Sequence, residues 1–204
     1  RLYVPESGRV LVDGMDLAEA AGLPLAGITA IQGLRDQAGL PLEGARERVL
    51  IVGASGGVGH IAVQIARAAG ATVVGVCSSH NAALVLSLGA HEVLDYTKPD
   101  PYRGQPPFDI VLDCVGGSPR PWMVLLSRGG RYASTMPGPD VFLRSLLNPL
   151  LSKKGRGFLL KSNAADLQML DRYVEADTVR VVIDRRYPLP ELRSASFADA
   201  RPCK

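Results

Sequence analysis

Cysteine is scarce in this chain. The 204 residues hold only Cys77, Cys114 and Cys203, too few and too widely spaced for a disulfide framework or a zinc knuckle. With no signal-peptide pattern at the start, that usage points to a reducing, cytoplasmic compartment. Histidine is equally rare: His60, His80 and His91 lack metal-ligand spacing, so no metal site is expected. Charge of one sign is also missing. The 23 basic residues face 20 acidic ones, for a net charge of +3, and no Lys/Arg run exceeds a pair. Nucleic acid therefore has no electrostatic footprint here. No stretch of 18 uninterrupted apolar residues occurs, so neither a membrane span nor a membrane partner is expected.

What is present reads as a globular chain, 47% hydrophobic and 21% charged, of a length that buries a full core. Residues 1–13, starting at Arg1, read as extended or looped, like the end of a preceding domain. Residues 16–21 suggest a short helix with Asp16 as N-cap. Residues 27–39 repeat Ile28, Ile31 and Leu34 at helical spacing.

From residue 48 the texture changes. Residues 48–52 contain a continuous Val-Leu-Ile-Val run, as in strands buried on both faces. Strands follow at 72–76, 92–94, 110–112, 130–134, 158–160 and 179–183. Helices fall at 60–69, 81–88, 120–126 and 166–176. This alternation predicts an α/β fold with a doubly wound parallel sheet of the Rossmann kind. The tail, 193–204, lacks periodicity and is expected to fray.

The chemistry-bearing segment is residues 53–59, Gly-Ala-Ser-Gly-Gly-Val-Gly, between a buried strand and a helix. Its G-x-x-G-x-x-G spacing is a relative of the dinucleotide fingerprint. Glycines permit the tight turn and close backbone approach to a pyrophosphate, and free N–H groups at the helix start face its charge. No Gly-Lys-Ser/Thr follows, which excludes a Walker-type loop. No Tyr-x-x-x-Lys pair occurs, which removes support for a short-chain reductase. The second strand runs into Ser78, Ser79, His80 and Asn81, with no acid between Gly70 and Gly89. An NAD-selective fold puts a carboxylate near this point for the ribose 2′-hydroxyl. Its absence favours NADP(H) over NAD(H), although residues 78–81 also read as a plain helix cap.

Residues 21–30 (Ala-Gly-Leu-Pro-Leu-Ala-Gly-Ile-Thr-Ala), the 53–59 loop, Ser87-Leu88-Gly89-Ala90, Asp95-Tyr96, Asp113-Cys114-Val115-Gly116-Gly117 and Gly129-Gly130-Arg131 form a joint pattern. In that order the chain resembles the zinc-independent quinone oxidoreductase and enone reductase branch of the medium-chain dehydrogenase/reductase superfamily. The resemblance runs from about residue 1 to 189. It implies that residues 1–25 are the end of a GroES-like barrel and its linker, 26–178 the dinucleotide-binding domain, and 179–204 a return segment with an atypical tail. It implies an NADPH-dependent hydride transfer to a small electron acceptor, a quinone or an activated C=C, and a homodimer.

Carried over one residue at a time, Thr29 falls near the nicotinamide. Ser55, Gly56, Gly57 and Val58 fall on the pyrophosphate loop. Ser78 and His80 fall in the adenosine-ribose phosphate pocket, and Tyr96 at the adenosine end. Cys114 and Val115 lie beside the nicotinamide ribose, and Ser134 near the nicotinamide. No general acid can be named. Plainer readings stand beside these. Thr29 suits a mid-helix hydroxyl bonded to a carbonyl. Tyr96 suits a strand-edge aromatic, Cys114 a small buried hydrophobe, and Asp113 a strand end that bonds nearby N–H groups. Trp122 and Met123 suit packing. His60 reads as facing solvent. A different class of function also remains open: a non-catalytic NADP(H)-binding fragment or interaction module.

Overall fold

The computed structural model describes residues 2–3, 11–12, 15–141, 145, 148 and 151–191. Most of the expected N-terminal extension, the tail at 193–204 that is expected to fray, and Cys203 lie outside them. Leu2–Tyr3 (β1) and Leu11–Val12 (β2) form an antiparallel pair. The two helical stretches expected at 16–21 and 27–39 are one element. Leu17–Gln32 (α1) starts at Asp16, whose carboxylate accepts from Ala18 N–H at 3.4 Å, and continues into a π-helical turn, Gly33–Gln37. Pro24 inside α1 forfeits a backbone bond, a cost of about 3 kcal/mol. Four buried side chains on the same run, Leu23, Ile28, Ile31 and Leu34, offset it at roughly 1.5–3 kcal/mol each. The boundary expected between residues 25 and 26 falls inside this helix. By length and composition Leu17–Gln37 is apolar enough to cross a membrane; here more than half of it is buried, within the core.

The main sheet contains six parallel strands: Arg48–Val52 (β3), Thr72–Cys77 (β4), Glu92–Asp95 (β5), Phe108–Asp113 (β6), Leu126–Ser134 (β7) and Lys154–Gly157 (β8). Their order is β5-β4-β3-β6-β7-β8, the doubly wound arrangement anticipated from the alternation. Gly59–Ala68 (α2), Ala82–Ser87 (α3), Arg120–Leu125 (α4) and Ala164–Glu175 (α5) supply the covering layers. On one face Val49, Ile51, Ile110, Leu112 and Ala133 meet residues of α1, α2 and α5. On the other, Leu50, Val52, Val74, Val76, Val111 and Tyr132 meet Met123 of α4. Trp122 packs edge-on against Tyr102, with ring centroids 5.4 Å apart, so both α4 residues serve packing.

Two strand expectations are corrected. The strand expected at 158–160 lies four residues earlier, at β8, whose Lys-Gly-Arg-Gly sequence has no β signature. Pairing decides it: Arg131 lies opposite Lys154 and Ser134 opposite Gly157. Charged residues suit this outer strand. Phe158 is apolar because it packs against Gly33, where a Cβ would stand 3.1 Å from its ring. The strand expected at 179–183 does not form. Gln64 of α2 clasps Arg180 instead, donating to its carbonyl and accepting from its N–H, both at 2.9 Å. Side chains thus satisfy backbone groups that a neighbouring strand would otherwise take.

Candidate functional site

Strand order reverses between β3 and β6, and the crevice past their C-terminal ends is where doubly wound sheets bind ligands. Gly53 leaves β3 with φ +74, and its N–H and that of Ala54 both donate to the Val76 carbonyl, at 3.1 and 3.0 Å. Gly59 opens α2 pressed against the strand end. A Cβ there would collide with the Gly53 carbonyl oxygen and lie 2.8 Å from its carbon and 2.9 Å from Ala54 Cα. Gly56 and Gly57 are exposed, and a Cβ on Gly57 would meet nothing within 4 Å. Among the described residues no side chain caps α2, and no backbone carbonyl accepts from the N–H of Gly57 or Val58. The result is an open cradle of backbone donors at a helix start, suited to a diphosphate.

The loop connects to the other expected residues on two sides. On the β4 side, Asn81 donates to the Ser55 hydroxyl at 3.1 Å, tying the 78–81 turn to the loop. Ser78 is half-buried and His80 exposed. On the β6 side, a Cβ on Gly53 would lie 2.7 Å from Val115 Cγ2, and Cys114 N–H donates to the Val52 carbonyl at 3.1 Å. Asp113, fully buried, shapes the turn that holds Cys114 and Val115. One of its oxygens accepts from Val115 and Gly116 N–H, both at 2.9 Å, and the other from the Tyr132 hydroxyl at 2.7 Å. Burial, then the neighbouring Asp113 charge, pushes the Cys114 thiol well above its ordinary value, so it stays a thiol and serves as a hydrophobe. Ser134 is fully buried at the end of β7, opposite Asp113, and its hydroxyl accepts from Met136 N–H at 3.3 Å. Tyr96 is 37% exposed, and its N–H donates to the Cys77 carbonyl at 3.3 Å. Thr29 makes the mid-helix bond, donating to the Leu25 carbonyl at 2.6 Å; no hydrogen bond links it to the crevice.

One expectation about histidine is wrong. His60 is buried rather than facing solvent, because it sits where α2, the glycine loop and the 179–183 segment meet. Its Nδ1 lies 2.9 Å from the Gly56 carbonyl and donates to it, while Nε2 accepts from Val182 N–H at 3.4 Å. Burial lowers its pKa, which fits this neutral tautomer.

Sequence reading also missed an acid. None occurs between Gly70 and Gly89, but the β4–β5 register sets Asp95 opposite Cys77. Ser79 donates its hydroxyl to one Asp95 oxygen; the other accepts from the Thr97 N–H at 2.9 Å and its hydroxyl at 2.7 Å. These bonds, Ser79 first, hold the carboxyl down at about 2. The signal was the Asp95-Tyr96 pair itself, which spacing along one strand does not connect to the end of another.

A cavity of about 210 Å³ lies elsewhere, between the π-helical turn and β7–β8, bordered by Gln37, Arg131, Lys154 and Arg156. Apart from Tyr132, whose hydroxyl holds Asp113, it shares no residue with those named at the crevice. The crevice is the stronger candidate because its loop sits at the strand-order reversal with an open Gly57, whereas Arg131 is already engaged by Glu47 and the Gly39 carbonyl. Among the described residues no group of three His, Cys, Asp or Glu side chains can hold a metal ion.

The sequence profile of a family described as zinc-binding dehydrogenase matches residues 88–197, more than half of the chain. A chloroplast envelope quinone oxidoreductase homolog of Arabidopsis thaliana is 37% identical over 187 residues, covering 87% of this chain and 57% of that protein. A mitochondrial NAD(P)H oxidoreductase of Mus musculus is 31% identical over 202 residues, covering 87% of this chain and 51% of that protein. The solved quinone oxidoreductase of Coxiella burnetii superposes with a TM-score of 0.80 at 30% identity, over 92% of this chain and 58% of that one. The chain thus spans little more than half the length of these relatives. The names of the Arabidopsis thaliana and Mus musculus relatives, chloroplast envelope and mitochondrial, run against the cytoplasmic expectation and correct it. Scarce free thiols suit any reducing compartment and cannot separate cytosol from stroma or matrix.

Proposed function

This chain belongs to the zinc-binding dehydrogenase family, within the quinone oxidoreductase branch of the medium-chain dehydrogenase/reductase superfamily, and we propose that it is the cofactor-binding half of an NADP(H)-dependent, zinc-independent reductase of quinones or activated C=C bonds. The observation that carries this reading is the open cradle at residues 56–58, where a Cβ on Gly57 would project into empty space. When bound, the nicotinamide would supply the hydride for a two-electron reduction. The residues here bind and orient. Gly57 and Val58 N–H groups face the diphosphate, and Ser55 is fixed by Asn81. Ser78, His80 and Tyr96 border the adenosine end, and no Lys or Arg lies on the 78–81 turn. Cys114 and Val115, set by Asp113, and Ser134 beside them border the nicotinamide end. Thr29 is proposed there too, through the hydroxyl lone pairs left by its bond to Leu25. Among the described residues there is no metal-holding set, and no step is assigned to zinc.

Reduction also requires an acceptor pinned at hydride distance, which can be worth roughly 7–11 kcal/mol of the barrier. In the family that the sequence resembles, the cleft against the barrel supplies this. We therefore expect the 204 residues alone to bind cofactor but to reduce quinones or enones poorly or not at all; the alternative reading, a non-catalytic nucleotide-binding module, implies no turnover. The homodimer would form at β8, the later in sequence of the two outer strands, β5 and β8, among the described residues. The test is NADPH oxidation with a panel of quinones and enones, by this chain and by a fusion to a relative's barrel domain. Turnover by the fusion alone supports the proposal; a fusion that binds NADPH yet reduces none of the acceptors contradicts it.

A further inference from the structure

The 78–81 turn has two hydroxyls, and the structure commits one of them. Ser79 Oγ has a single proton, and it points at Asp95. The other Asp95 oxygen is taken by both Thr97 donors, so the carboxylate cannot turn away without losing three bonds. It is 8% exposed, remains ionised at any physiological pH, and has Lys98 as its nearby cation. Tyr96, proposed at the adenosine end, follows it directly in the chain. A negative charge and an occupied donor thus stand behind the turn that would receive the 2′ position of a dinucleotide.

We propose that Asp95 sets how strongly this site discriminates NADPH from NADH, by holding the Ser79 hydroxyl away from a 2′-phosphate and placing a like charge behind it. The inference rests on the dinucleotide reading given above and deepens it. It acts as a positioning residue through Ser79 and as a charge in its own right. The preference for NADPH inferred from a missing acid is therefore held to a small value, because an acid reaches the turn from the next strand.

Asp95→Asn separates the two effects from mere structure. The amide oxygen can still accept from Thr97. The amide nitrogen can donate to Ser79 Oγ, which reverses that bond and frees the hydroxyl proton to point at a phosphate oxygen. The repulsion disappears as well. The ratio of NADPH to NADH affinity should rise about tenfold, within the range for one like-charge contact at a partly exposed site. A purely structural role would weaken both cofactors alike and leave the ratio alone. Ser79→Ala is the second variant. In the parent it should leave the ratio within about twofold, since the hydroxyl is already committed, and in the Asp95→Asn background it should cancel most of the gain. The assay is fluorescence titration of the chain and the three variants with NADPH and NADH. A risen ratio with NADH affinity kept supports the proposal. An unmoved ratio with both cofactors bound overturns it and leaves the site standing. Should Asp95→Asn fail to fold, a large loss of NADPH affinity in Ser79→Ala alone overturns it, and an unchanged ratio supports it. If the parent binds neither dinucleotide, both this inference and the function it rests on fall.

Discussion

Gly57 and Gly59 stand two residues apart in one loop, and the structure assigns them opposite tasks. A methyl on Gly59 would press into backbone, against the Gly53 carbonyl and Ala54 Cα, which no side-chain rotation relieves. Helix α2 would have to back away from β3, disturbing a seam that buries Ile51, Ile61 and Ile65 completely. Overpacking of this kind costs about 1–3 kcal/mol and sometimes more, and backbone contacts put Gly59→Ala at the upper end, about 3 kcal/mol. A methyl on Gly57 meets nothing, and the residue is not in the left-handed region. Gly57→Ala should be neutral or stabilising by about 0.4–1 kcal/mol, because it restricts the unfolded chain. Its penalty should appear only with ligand, since the methyl takes the space a pyrophosphate would use. Urea denaturation of the free chain, followed by NADPH titration, reads both. Loss of stability above about 1 kcal/mol in Gly57→Ala, or full stability in Gly59→Ala, would refute the division of labour argued from these contacts.

Three further outcomes follow from the same geometry. His60 is buried, and its folded pKa lies below the ordinary 6.5, so the unfolded chain binds more protons in the interval between them. Its contribution is fully present above 6.5 and is lost as pH falls through that interval. His60→Gln should flatten the urea midpoint between about pH 7.5 and about pH 5, and identical profiles would count against the assigned tautomer. Tyr132→Phe removes the side-chain donor that the described residues give the buried Asp113 carboxylate, and should cost about 1–3 kcal/mol in thermal or urea unfolding. A loss below about 0.5 kcal/mol would mean that the two backbone donors suffice. His80→Arg adds a permanent charge at the turn and should raise NADPH affinity over NADH, with a gain that shrinks in salt. Equal affinities in the parent that stay equal in this variant would remove His80 from the phosphate pocket.

The β3–loop–α2 unit was legible because each of its signals is local: an unbroken apolar run, glycines at fixed offsets, then an Ala/Ile-rich helix. Asp113 was legible in its plainer role for the same reason, since its backbone partners are two and three residues on. What failed was non-local. Residues 16–21 and 27–39 read as two helical stretches, but Gly27 is the point where α5 closes on a single α1, with Leu170 Cδ1 2.7 Å from where a Cβ would stand. The run Val179, Val181, Val182, Ile183 has every mark of a strand, and only Gln64 and His60, more than a hundred residues earlier, explain why it is not one. β8 shows the converse: a glycine-and-charge sequence becomes a strand because β7 offers it a ladder. Asp95 went unread at the site because strand register, not spacing, delivers it to Ser79.

The central claim is that residues 53–59 hold a nicotinamide dinucleotide. Isothermal calorimetry of the 204-residue chain with NADPH, repeated with Gly57→Asp, tests it most directly, because the added carboxylate would occupy the cradle and repel a diphosphate without touching the core. The account predicts saturable binding of one NADPH per chain, and its loss in a variant that unfolds at the same urea concentration as the parent. No heat of binding in the parent, or unaltered affinity in the folded variant, would contradict it.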